Sequence, residues 1–91
     1  MGAFYEILHT SSNWLIKKGI NKKIANNYIS ELFLSLSQDA VNKQSQGFKK
    51  LVADSQTPKG LNMQVLNELK KGKFYSKFFK ALDNVNKRVS K

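Results

Sequence analysis

Residues 21–45 read NKKIANNYISELFLSLSQDAVNKQS, and this stretch decides the fold. Ile24, Ala25, Tyr28, Ile29, Leu32, Phe33, Leu36, Ala40 and Val41 recur at steps that lay side chains along one stripe of an α-helix. Asn21 is placed to cap its start, with Ile20 ahead of it to pack against the first turns. Leu34 breaks the one-sided pattern, because it lies about 100° around the axis from Phe33 and about 160° from Leu36. A helix that is apolar on more than one side is buried on more than one side. In a chain of 91 residues the second cover is expected from another copy. Tyr28, Leu32, Phe33, Leu34 and Leu36 are therefore the expected dimer interface.

Working outward, residues 3–18 carry Phe4, Ile7, Leu8, Ser11, Trp14 and Leu15 at helical spacing. Lys17 and Lys18 suit the carbonyl end of that helix, and Gly19 suits the residue just past it. Trp14 reads as a packing anchor. Downstream, Gly47 marks a break, and Phe48, Leu51 and Val52 form a short helix ending near Ser55. The only proline follows in Ser55-Gln56-Thr57-Pro58-Lys59-Gly60. Proline disfavours helix at Thr57 and Gly60 permits positive φ, so this is a loop. A fourth helix opens near Leu61 or Asn62, with Asn62, Val65, Leu66 and Leu69 on one side, and Lys70-Lys71-Gly72 closes it. The last helix spans residues 74–90 and shows Tyr75, Phe78, Phe79, Leu82, Val85 and Val89 on its apolar face. No strand alternation interrupts these segments. The expected fold is an all-α bundle of about five helices, one domain over residues 1–91, interlocking with a second copy.

Composition narrows the chemistry. Apolar residues make up 41% of the chain, too many for a disordered tail. There is no cysteine, which removes disulfides, thiolate metal sites and a cysteine nucleophile. No apolar run approaches the roughly 20 residues that span a bilayer, and residues 1–6 do not begin a signal peptide. No membrane partner and a cytoplasmic location are expected. The formal charge of +10 suggests nucleic acid. Yet Arg88 is the only arginine, and bidentate recognition of phosphate and guanine favours arginine over lysine. A lysine-solvated surface is the expected reading; a basic nucleic-acid-binding domain is the alternative. Phe74, Tyr75, Phe78 and Phe79 beside Lys73, Lys77 and Lys80 could stack bases, but their helical spacing reads as core or interface.

No catalytic constellation is legible. His9 is the single histidine, and Glu6, Glu31, Asp39, Asp54, Glu68 and Asp83 are scattered, so neither an acid–base pair nor a metal cluster forms in the sequence. No glycine-rich phosphate loop is present, and dinucleotide binding by these residues is unsupported. Catalytic, cofactor-binding and metal-binding residues are expected to be none. One local feature is suggestive. The loop Thr57-Pro58-Lys59-Gly60 runs into a helix start at Leu61-Asn62, where the first amides lack internal partners and suit a carboxylate or phosphate. An ordinary Pro/Gly loop opening a helix, capped by Thr57 or Asn62, accounts for the same residues.

The stretch from Gln56 through Leu66, followed by Leu69 and Gly72-Lys73-Phe74, resembles the Ser/Thr-Pro-Gly-Gly-Thr-Thr segment of pyrroline-5-carboxylate reductases and the helix and Gly-x-Phe turn after it. Met1-Gly2-Ala3-Phe4-Tyr5, with Trp14-Leu15 and Lys18-Gly19-Ile20, is similar to the start of that family's C-terminal helical domain. The helix from Tyr28-Ile29 to Ala40 fits the long one between them. The resemblance implies a helical domain that interlocks two subunits into a homodimer. It implies a Rossmann domain holding NAD(P)H in the parent enzyme, and hydride transfer to a C=N bond in proline biosynthesis. It implies further that Thr57, Pro58, Lys59, Gly60, Leu61 and Asn62 form the substrate-binding loop, whose backbone amides around Gly60 to Asn62 hold a small carboxylate substrate. Lys59 stands where the family has its first glycine, and Leu61-Asn62 stand where it has small or hydroxyl residues. A reductase acting on a different imine or carbonyl is therefore the alternative. Turnover by residues 1–91 alone is not expected.

Overall fold

The computed structural model describes residues 2–56 and 60–89 of the chain. It is all-α, and among the described residues there is no strand. Five α-helices follow in order: α1 Gly2–Lys17, α2 Lys22–Lys43, α3 Phe48–Asp54, α4 Leu61–Lys71 and α5 Phe74–Val89. A 3₁₀ turn, Gln44–Gln46, follows α2. The chain divides into two compact units, Met1–Phe48 and Lys49–Lys91.

In the first unit the punctuation works as local chemistry dictates. Gly19 sits at φ 100°, and its N–H donates to the Ile16 carbonyl at 3.0 Å, while the Ile20 N–H donates to Leu15 at 3.1 Å. These two bonds satisfy carbonyls that the end of α1 would otherwise leave unpaired, and the left-handed residue between them favours glycine. Two residues later the Asn21 side-chain oxygen accepts from the Lys23 and Ile24 amides at 2.8 and 3.3 Å. Caps of this kind are worth about 1 kcal/mol. The chain thus reverses within four residues, and α2 returns along α1.

The contact between α1 and α2 is narrow. Ala25 is fully buried and Ile29 is 6% exposed, and these are the only buried apolar residues among those described. Phe33 and Ala40 are half-buried further along α2. The small Ala25 and Ser12 permit close approach, and the buried Ser12 hydroxyl donates to the side-chain oxygen of Asn26 across the two helices. That bond satisfies both polar groups, so the pair fixes the register of the hairpin without a desolvation cost left over. At the open end Phe4 meets Phe33 edge-on, with ring centroids 6.1 Å apart.

Several faces differ from the sequence expectation. Trp14 is not a packing anchor within the chain: it is 60% exposed, and the Lys18 ammonium lies 5.9 Å from its ring. The covered side of α1 is Leu8, Ser11, Ser12 and Leu15. The physical reason is rotation, since Trp14 lies about 160° around the α1 axis from the buried Ser12 and so points away from α2.

In the second unit α4 and α5 form a hairpin. The turn closes with the Gly72 N–H on Glu68 and the Lys73 N–H on Lys70, both at 3.0 Å. Gly72 has φ −76°, and the left-handed residue is Lys73 at φ 60°. An L-residue there costs about 1–2 kcal/mol. Gly60 lies at φ −80°, ψ 166°, an ordinary extended conformation, so positive φ is not what this glycine supplies. The half-buried side of α4 is Met63, Leu66 and Leu69; Asn62 and Val65 are exposed. No residue of α4 or α5 is fully buried.

Candidate functional site

Two features carry the functional question: the start of α4 and the uncovered apolar faces. Thr57, Pro58 and Lys59 lie outside the described residues. Gly60 precedes the first turn of α4, and its carbonyl accepts the Gln64 N–H at 3.1 Å. Leu61, Asn62 and Met63 are the first three residues of the helix. Their amides have no acceptor within it and point along the axis at the positive end of its dipole. Leu61 is 81% exposed and Asn62 is exposed, so neither is engaged in a core. The structure therefore places Gly60, Leu61 and Asn62 together at one helix terminus.

That terminus does not enclose a ligand. A shallow depression runs along one flank of α4 past Gly60, Met63, Gln64, Asn67, Glu68 and Lys71. Its carboxylate, Glu68, accepts a hydrogen bond from the Gln64 side-chain amide at 3.3 Å and would repel an anion settling there. The amides thus form one wall, and a carboxylate bound to them needs its other walls from elsewhere.

The remaining polar residues build no second centre. His9 is exposed on α1, and among the described residues no cluster of histidine and carboxylates could hold a metal. Asp39 pairs with Lys43 at 3.0 Å and Asp54 with Lys50 at 2.8 Å, both one turn apart and exposed. Pairs of this type contribute a few tenths of a kcal/mol. The positive charge is uneven: residues 49–91 carry eleven basic against three acidic side chains, and residues 1–48 carry five against three.

Of the expected interface residues, Tyr28, Leu32, Leu34 and Leu36 are 57%, 37%, 54% and 55% exposed. Phe33 differs from them, being half-buried against Phe4 of its own chain. A second uncovered face lies on α5, whose aromatic residues read from their spacing as core or interface but stand outside the interface expected on α2. Phe78, Phe79, Leu82, Val85 and Val89 are all more than half exposed. The signal was present in the sequence as a stripe from Tyr75 to Val89, longer than the 11 residues of α4. With Tyr75, that face holds on the order of 500 Å² of apolar surface in water. Hiding it is worth roughly 12 kcal/mol gross at about 25 cal/mol per Å².

Among the described residues no helix is long and apolar enough to cross a membrane. Comparison with known proteins gives one match. The family model for pyrroline-5-carboxylate reductase dimerisation covers residues 1–91, the whole chain. The chain matches no curated protein and no solved structure.

Proposed function

The chain belongs to the pyrroline-5-carboxylate reductase dimerisation family, and we propose that it serves as the dimerisation and substrate-site domain of an NAD(P)H-dependent reductase of that type. The observation that carries the dimer is the burial pattern: Ala25 and Ile29 alone are hidden among the apolar residues described, while large side chains on α2 and α5 stay in water. Association of two copies removes that surface from water, which is the main driving force for obligate interfaces.

The catalytic part of the reading rests on the start of α4. A substrate carboxylate would accept hydrogen bonds from the amides of Leu61 and Asn62, with the helix dipole adding to the attraction. Asn62, in the position of a hydroxyl residue, can both donate and accept through its side-chain amide. In this reading hydride chemistry falls to the Rossmann domain that the family resemblance implies for the parent enzyme. A different imine or carbonyl substrate is the second reading, favoured by Lys59, Leu61 and Asn62 in place of small and hydroxyl residues.

Titration with proline, watched at the backbone amides of Gly60, Leu61 and Asn62 by NMR, tests the loop. Saturable shifts confined to these amides are expected. Unmoved resonances at millimolar proline would reduce the segment to a helix-opening loop and leave the dimer untouched.

A further inference from the structure

Within α5 one set of apolar positions follows a strict rule, with Phe74, Phe79 and Ala81 outside it. Tyr75, Phe78, Leu82, Val85 and Val89 are separated by three, four, three and four residues. This 3.5-residue repeat keeps one seam facing a single partner helix and leads to knobs-into-holes packing. Exposure rises steadily along the seam, from 43% at Tyr75 through 51%, 55% and 60% to 77% at Val89. The shielding by α4 thus falls at the start of α5 and fades beyond it. Beyond Tyr75 every seam residue is more than half exposed, so α4 covers the repeat incompletely, and in a two-fold dimer its natural complement is the same seam of the second copy.

Side-chain size fixes the direction. Along the seam the residues shrink from aromatic rings to leucine to valine. A parallel pair would stack ring on ring at one end and valine on valine at the other, forcing the helices apart at the first and leaving voids at the second. An antiparallel pair centred between Leu82 and Val85 sets Phe78 against valine and leucine against valine, with Tyr75 outside the paired layers beside Leu66 and Lys70 of α4, which keeps the spacing even and the packing dense. The helix dipoles also favour opposed directions. We propose that α5 pairs antiparallel with α5 of a second copy, with Phe78 facing the partner's Val89 and Leu82 facing the partner's Val85. The proposal deepens the dimer reading and rests on it.

The absence of cysteine makes disulfide mapping clean. In the antiparallel register Phe78 and its own copy lie about 16 Å apart along the axis, at 1.5 Å per residue, far beyond the 7 Å within which cysteines bridge. Phe78→Cys and Val89→Cys should therefore each fail to cross-link alone and cross-link when mixed. Cross-links from either variant alone would show parallel pairing and overturn the proposal. Because these changes touch the seam, nitroxides on the solvent side provide a second measurement. At Lys77→Cys the two labels should sit about 20 Å further apart along the axis than a parallel pair allows, and at Asn84→Cys they should lie almost level. Equal separations at the two sites contradict the antiparallel register. A protein of dimer mass that gives neither signature rejects α5 pairing alone, whereas a folded monomer rejects the dimer reading beneath it.

Discussion

Leu82→Asp is expected to abolish the folded dimer. Leu82 stands in the middle of the α5 seam, where a two-fold interface presents every substitution twice. Each copy loses about 2 kcal/mol of apolar transfer and must either bury an unpaired carboxylate, at a cost of several kcal/mol, or separate. Separation does not leave a stable monomer. Helices of 11 and 16 residues are marginal in water without tertiary cover, and α4 and α5 hide no residue completely on their own. Sedimentation should show the mass of one chain, and far-UV circular dichroism should show a large loss of helix. A variant that keeps both mass and helicity would place α5 outside the interface.

The second large effect is expected at the α1/α2 contact. Ile29→Ala removes the largest buried side chain of a core whose other buried residues, among those described, are Ala25 and Ser12. A truncation of this kind costs about 2–5 kcal/mol through lost transfer energy and the cavity left behind. In so small a core few packing contacts are lost and the gap opens to water, which places Ile29 in the lower part of that range. Chemical denaturation monitored by circular dichroism measures it; a change below about 1 kcal/mol would mean that the hairpin is held by contacts other than this one.

The helices were legible because their boundaries are set by local chemistry. Gly19 supplies the left-handed turn after α1, Asn21 caps α2, and Gly47 at φ 89° separates the 3₁₀ turn from α3. Each of these acts within a few residues, and periodicity fills the spans between. Which side of a helix becomes buried is a different kind of question. The spacing of apolar residues says that Val65 and Leu66 both lie near one face of α4, but only the neighbouring helix decides that Met63, Leu66 and Leu69 are covered instead of Asn62 and Val65. Trp14 shows the same limit, since an aromatic residue at helical spacing reads as core whether its partner is in the same chain or in another.

Two further differences have local causes. Gly72 invites a left-handed assignment, yet Lys73 takes that conformation, because the hydrogen bonds to Glu68 and Lys70 close the turn one residue later. Gly60 invites positive φ, yet the start of α4 needs only an extended residue there. The family was legible from the segment around Pro58-Lys59-Gly60 and the Gly72-Lys73-Phe74 turn, and the match over residues 1–91 agrees with it. Thr57, Pro58 and Lys59 lie outside the described residues, and of the loop only Gly60, Leu61 and Asn62 have a described geometry.

Everything proposed for this domain depends on apolar surface that one copy leaves in water. Sedimentation equilibrium of the unmodified protein, run across the micromolar range with helicity recorded on the same samples, addresses that directly. A folded species of twice the chain mass at every concentration is the expected result. A cooperatively melting, fully helical species of one chain mass would contradict it.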